Sequence, residues 1–174
     1  MVCILARMMK TCGTASSLFA DATLALRTSP TWRGWREALF LLAVLCVFAA
    51  VLGTNAGLFT FSWTTDWPRL IAIALVAIII PALAEEMVFR ILLAGRRGVW
   101  RAGMALTLFV LWHPAQLWLG LPMAQPVFAD PAFLAIAAAL GLACTISYRR
   151  SGSVWPAVAM HWAVVVMWKG FAGG

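Results

Sequence analysis

Residues Leu70 to Ala94 read LIAIALVAIIIPALAEEMVFRILLA, an apolar run interrupted by a proline and by three ionisable side chains, Glu85, Glu86 and Arg90. At 1.5 Å per residue such a run forms a helix of about 37 Å, enough to cross a hydrocarbon core about 30 Å thick. A charged side chain at mid-membrane costs roughly 2.5 to 3.5 kcal/mol on insertion scales. Three of them in one span are therefore a functional hypothesis from the outset.

The rest of the chain reads the same way. Of its 174 residues 64% are hydrophobic and 11% charged, with a mean hydropathy of +0.94, so a water-soluble domain of this size would lack the polar surface to cover itself. Further apolar segments lie at Ala38 to Phe61, Ala102 to Leu119, Ala132 to Tyr148 and Val154 to Trp168. Together with Leu70 to Ala94 they predict an all-α, multi-pass transmembrane bundle of about five helices. Residues 1–36 form a basic segment ahead of the membrane domain at 37–174, with Trp32, Arg33, Trp35 and Arg36 read as an anchor at headgroup level. No apolar core ending in a small-residue cleavage site occurs near Met1, so no signal peptide is expected.

The net charge of +7 invites a nucleic-acid reading, but the basic residues sit at the ends of apolar segments and form no patch interleaved with aromatics. They read as topology instead. Placing the N-terminus in the cytoplasm puts Arg7, Lys10, Arg27, Arg33, Arg36, Arg96, Arg97, Arg101, Arg149 and Arg150 inside, and leaves only Arg69 and Lys169 outside. Cys3, Cys12, Cys46 and Cys144 show no C-x-x-C spacing and are expected to pack or remain reduced.

Depth then links the polar residues of different helices. Measured from Arg96, Arg101 and Arg150 respectively, Glu85 and Glu86 lie about 15 to 17 Å deep, His113 about 18 Å and His161 about 17 Å. Two carboxylates and two imidazoles thus share one layer. Glu86 and Arg90, four apart, share a helix face, whereas Glu85 is turned about 100° away and has no local cation. Glu85 is accordingly the candidate general base and Glu86 the partner of Arg90. Pro81, one turn upstream, is placed to kink the helix and admit water. Taken singly, either histidine is an ordinary interhelical hydrogen-bonder and Glu86 with Arg90 an ordinary buried ion pair. The shared depth favours function. The tryptophans, Trp112 among them, read as interface or packing residues.

At these residues the chain resembles the type II CAAX prenyl endopeptidase and bacteriocin-processing family of glutamic intramembrane proteases, which includes lysostaphin-resistance-A-like proteins. Its Glu-Glu-x-x-x-Arg stands at Glu85 to Arg90, its Phe-x-x-x-His at Phe109 to His113, and its final His-x-x-x-Asn begins at His161. The lead Ser151-Gly152-Ser153-Val154-Trp155-Pro156 is also similar, and the resemblance covers about Leu70 to Trp168. It implies peptide-bond hydrolysis without cofactor or metal: Glu85 and His113 would activate a water, His161 would stabilise the oxyanion, and Glu86 with Arg90 would hold the site together. The candidate catalytic set is then Glu85, Glu86, His113 and His161, with Arg90, Phe109 and Val165 in support.

The family's Asn is Val165 here. Valine donates no hydrogen bond, and loss of an oxyanion donor costs roughly 10²- to 10³-fold elsewhere. A pseudoprotease that binds peptides as a membrane adaptor is therefore the alternative. A zinc-dependent hydrolase using the same side chains lacks the H-E-x-x-H helix, and a proton-coupled transporter lacks paired broken-helix repeats. The expected partners are the lipid bilayer and a membrane-associated or lipidated peptide, not nucleic acid. The expected location is a bacterial plasma (inner) membrane, with the site open to the cytoplasm or to the bilayer.

Overall fold

The computed structural model describes residues 19–58, 62–121 and 124–171. Expectations for residues 1–18, for Phe61 and for Pro122 lie outside these. A short helix over 19–27 precedes five longer ones: α1 (Trp32–Asn55), α2 (Trp67–Ala94), α3 (Val99–Trp118), α4 (Pro131–Ser151) and α5 (Trp155–Phe171). A 3₁₀ turn, Pro126–Ala129, leads into α4, and there is no strand among the described residues.

Short polar side chains set where the helices begin. Thr31 Oγ1 accepts from Gly34 N (3.2 Å), Asp66 Oδ1 from Arg69 N (3.1 Å), and Asp130 Oδ1 from Ala132 N (2.8 Å) and Phe133 N (3.3 Å). Each satisfies amides that a helix start leaves unpaired. The Thr31 cap explains why α1 starts at Trp32 rather than near Ala38: the Trp32 to Arg36 stretch, expected as a separate anchor, forms its first turns. At the end of α4, Gly152 takes a φ of +72°, and its N–H bonds Tyr148 O at 2.8 Å. This left-handed stop turns the chain directly into α5.

The protein is an integral membrane protein. α1, α2 and α4 are long and apolar enough to cross a bilayer. α5, with 17 residues, is short for a crossing, and α3 carries Arg101, His113, Pro114 and Gln116 within its length. The two helices that fall short thus include those bearing the imidazoles. Large apolar side chains on α1 and α2, among them Phe40, Val47, Ile71 and Leu75, are exposed. Lipid tails impose no penalty for that.

α2 is the irregular element. Ile80, at φ −129° and ψ 117°, leaves helical geometry immediately before Pro81, a usual place for a helix to kink. Beyond a short α-helical turn at Ala84–Glu86, residues Met87–Ala94 wind as wider π-helical turns. The free carbonyls at its end are bound from other helices: Arg101 donates to Leu92 O (3.1 Å) and Leu93 O (3.2 Å), and Arg149 to Gly95 O (3.1 Å) and Gly98 O (2.7 Å). Arginines read from the sequence as a topology signal therefore also fasten α2.

The 19–27 helix is built into this end of the bundle. Ala25 O accepts from Val154 N (3.2 Å) and Leu26 O from Trp155 Nε1 (2.8 Å). Ala25 is buried with Ala82, Ile91, Tyr148, Val154 and Val158. A second apolar cluster, centred on Phe109, joins α1 through Ala38 and Leu45 to α4 and α5. Cys46 and Cys144 are free thiols, and Cys144 packs in that cluster.

Gly141 fixes the approach of α4 to α3. A Cβ there would lie 2.7 Å from Leu106 and 2.8 Å from Phe109 side-chain carbons, whereas one on Gly103 would meet nothing within 4 Å. Gly141→Leu is expected to destabilise the detergent-solubilised protein by at least about 1 to 3 kcal/mol, the usual cost of overpacking. Gly103→Ala is expected to leave thermal unfolding unchanged or slightly raised. Equal behaviour of the two variants would contradict this packing.

Candidate active site

Glu86 and Arg90 are both fully buried on α2. Four residues apart, they meet as an ion pair, Arg90 Nε donating to Glu86 Oε2 at 2.9 Å and Nη2 to Oε1 at 3.4 Å. The same Oε1 lies 2.9 Å from His161 Nδ1 on α5. A carboxylate accepts, so Nδ1 carries the proton, which leaves Nε2 of His161 as the group facing away. His113 is set similarly: its Nδ1 lies 3.0 Å from Phe109 O, a carbonyl that can only accept, and its Nε2 is left available.

Phe109 is the platform beneath these groups. Arg90 Cζ sits 4.4 Å over its ring, and the rings of His113 and His161 meet it edge to face at 5.1 and 5.9 Å. A guanidinium over an aromatic face gains electrostatic attraction without a further polar partner. Phe128 and Phe133, each 5.4 Å from His113, complete an aromatic surround for that imidazole.

Glu85 is treated differently from its neighbour. Its Oε1 accepts from Trp112 Nε1 at 3.1 Å, and its Oε2 lies 3.9 Å from His161 Nε2, beyond hydrogen-bond reach. That Oε2 is buried and has no hydrogen-bond partner among the described residues. Glu85 lines a cavity of about 480 Å³ together with His113, Gln116, His161, Val165 and Lys169. Glu86 and Arg90 do not line it. The structure thus brings Glu85, His113 and His161 to one cavity and puts Glu86, Arg90 and Phe109 behind it. Val165, one turn beyond His161, is on the wall where the resemblance expects a polar side chain.

Three cavity groups were not foreseen. Gln116 is buried three residues after His113, on the same face of α3, so helical spacing alone could have found it. Lys169 follows His161 by two turns on α5, a similar signal. Trp112 left none, because its bond to Glu85 depends on how α3 packs against α2.

Among the described residues no group of three or more His, Cys, Asp and Glu is arranged to hold a metal ion.

With this geometry in place, comparison with known proteins is informative. The profile of the family described as type II CAAX prenyl endopeptidase Rce1-like matches residues 67–167, more than half of the chain, and the protein belongs to that family. No curated protein and no solved structure matches it. The matched region starts with α2 and ends within α5, so it contains every group just described except Lys169.

Removing one partner of a buried ion pair strands the other. Arg90→Met is therefore expected to lower stability by about 3 to 5 kcal/mol. Adding Glu86→Gln to that variant should restore part of the loss in a detergent melt. A double variant no more stable than Arg90→Met would show that the pair does not act as a unit.

Proposed function

We propose that the protein is an intramembrane endopeptidase of the glutamic type, hydrolysing peptide bonds of membrane-associated or lipidated peptides in a bacterial plasma membrane. The observation that carries this is that Glu85, whose buried Oε2 makes no hydrogen bond among the described residues, lines one cavity with His113 and His161. A buried carboxylate oxygen without a partner is costly, and a substrate water supplies the partner.

In this mechanism a water enters between Glu85 and His113. Glu85 takes its proton as the oxygen attacks the scissile carbonyl carbon, with His113 Nε2 accepting a second hydrogen bond from the water to orient it. The carbonyl oxygen becomes an oxyanion, which His161 stabilises from the cavity wall. Collapse breaks the C–N bond, and the proton held by Glu85 passes to the leaving amine. Glu86 and Arg90 take no part in proton transfer: they fix the His161 ring. Trp112 is a positioning residue, holding Oε1 so that Oε2 points into the cavity.

The wider arrangement belongs to the same proposal: five crossings with the N-terminus inside, the basic segment 1–36 leading into a protease domain at 37–174, and lipid and membrane peptide as partners without nucleic acid. Local bilayer thinning, or snorkelling of Arg149, Arg150 and Lys169, would accommodate the short α5.

A second reading, a catalytically impaired adaptor that binds peptides in the same cavity, is favoured by one observation, the apolar Val165 on the cavity wall.

With a peptide substrate cleaved by the purified protein, Glu85→Gln is expected to lower kcat by about 10²- to 10⁴-fold while the fold is retained; undiminished cleavage would reject the mechanism. Trp112→Phe should lower kcat about tenfold, the worth of one charge-assisted hydrogen bond, with KM unchanged. Val165→Asn should accelerate a working enzyme by about tenfold or more through an added donor, whereas an adaptor would gain no hydrolysis. Zinc content and the response to a chelator test the metal-dependent version, with full activity after chelation expected.

A further inference from the structure

The cavity is one-sided. Its walls come from Val76 and Ile80 in the first half of α2, Gln116 near the end of α3, Gln125 and Phe128 in the following loop and turn, and Val165 and Lys169 near the end of α5. All of these lie on the same side of the Glu85 and His161 layer. Most arginines lie on the other, Arg69 at the start of α2 being an exception: Arg33 and Arg36 begin α1, Arg96, Arg97 and Arg101 join α2 to α3, and Arg149 and Arg150 end α4.

That arginine-rich side is closed. Beneath the polar layer, Ile91, Tyr148, Val154 and Val158 belong to one buried cluster, with Ala25 of the 19–27 helix set into it. Arg149 and Arg101 stitch the end of α2 across the same region. The opposite side is open in two ways. Lys169 and Gln125 are only half-buried at the rim, and Val76 and Ile80, each 55% exposed, put a cavity wall directly against lipid.

Arginine and lysine are retained on the cytoplasmic side of a membrane protein. We infer that the cavity takes its peptide from the extracytoplasmic side and the outer half of the bilayer, where the sequence led to an opening toward the cytoplasm or the bilayer. That a peptide enters the cavity rests on the protease reading; the direction of access does not. Peptides of the matching class are membrane-attached segments displayed on the outer face. A translocation step must then supply them, and the released fragments leave on that face.

The test reads side-specific labelling rather than hydrolysis, so its failure is distinct from failure of the catalytic proposal. In the full chain with Cys3, Cys12, Cys46 and Cys144 replaced by serine, single cysteines are introduced as Gln125→Cys, Val165→Cys or Arg97→Cys. A membrane-impermeant maleimide is then applied to intact bacterial cells and to inverted vesicles. Gln125→Cys and Val165→Cys are expected to label at least about tenfold faster in cells, and Arg97→Cys in inverted vesicles. Val165→Cys reacting from the inverted face, reacting from neither face, or Gln125→Cys sharing the sidedness of Arg97→Cys would each overturn the inference.

The unaltered chain gives an independent measurement, since its only lysines are Lys10 and Lys169. An impermeant amine reagent on intact cells followed by mass spectrometry should modify Lys169 and spare Lys10. Modification of Lys169 in inverted vesicles alone would refute outward access.

Discussion

Glu86 is a carboxylate with no exposed surface, held at 2.9 Å by a guanidinium from its own helix and at 2.9 Å by an imidazole from another. In an apolar interior such a group is tolerated only when its lone pairs are occupied. Because the two donors come from α2 and α5, satisfying Glu86 also decides how those helices meet. The ring of Phe109 on α3 then lies against Arg90 and both imidazoles, so a third helix is fixed by the same charge. Gly141 on α4 leaves the space that ring needs. One satisfied anion thereby sets the relative positions of four helices.

The neighbouring Glu85 shows what that satisfaction makes possible. Adjacent residues on a helix point about 100° apart, so the second carboxylate faces the cavity where the first faces its ion pair. The irregular course of α2 matters here. Ile80 leaves helical geometry ahead of Pro81, and the turns from Met87 onward are π-helical, so the short α-helical turn carrying both acids is bracketed by two departures from regular winding. Wide turns of this kind are found disproportionately at functional sites. Arg101 and Arg149 occupy carbonyls that the end of this winding leaves free.

Much of this could be read before any coordinates. The i, i+4 relation of Glu86 and Arg90 is local, and counting residues from the flanking arginines was enough to put His113 and His161 at the depth of the acids. The division between a paired and an unpaired glutamate followed from the same periodicity. Helix starts were less legible, since caps as small as Thr31 move a boundary by a turn or more against a smooth hydropathy signal. Contacts such as Trp112 to Glu85 depend on the rotation of one helix against another, which periodicity does not encode. Charge could also carry two meanings: Arg149 marks a membrane side and ties down a helix end, and only the first is visible in sequence.

Val165 and the direction of the cavity bear on one another. An apolar wall beyond His161 leaves Glu85, His113, His161 and Gln116 as the polar groups near the layer of the acids, so a water bound there in the proposed mechanism would meet a small polar patch in an otherwise largely apolar cavity. Confinement of that kind strengthens each remaining hydrogen bond through the low local dielectric, and it slows the entry of competing nucleophiles. A peptide arriving along the membrane would bring its own apolar side chains to such walls and leave its backbone carbonyl as the one polar group able to approach His161. In the proposed protease, valine at this position would give up an oxyanion donor and make the cavity better suited to chains that are already lipid-bound. Selection of the substrate by solvent environment, rather than by many polar contacts, is the chemistry these walls favour.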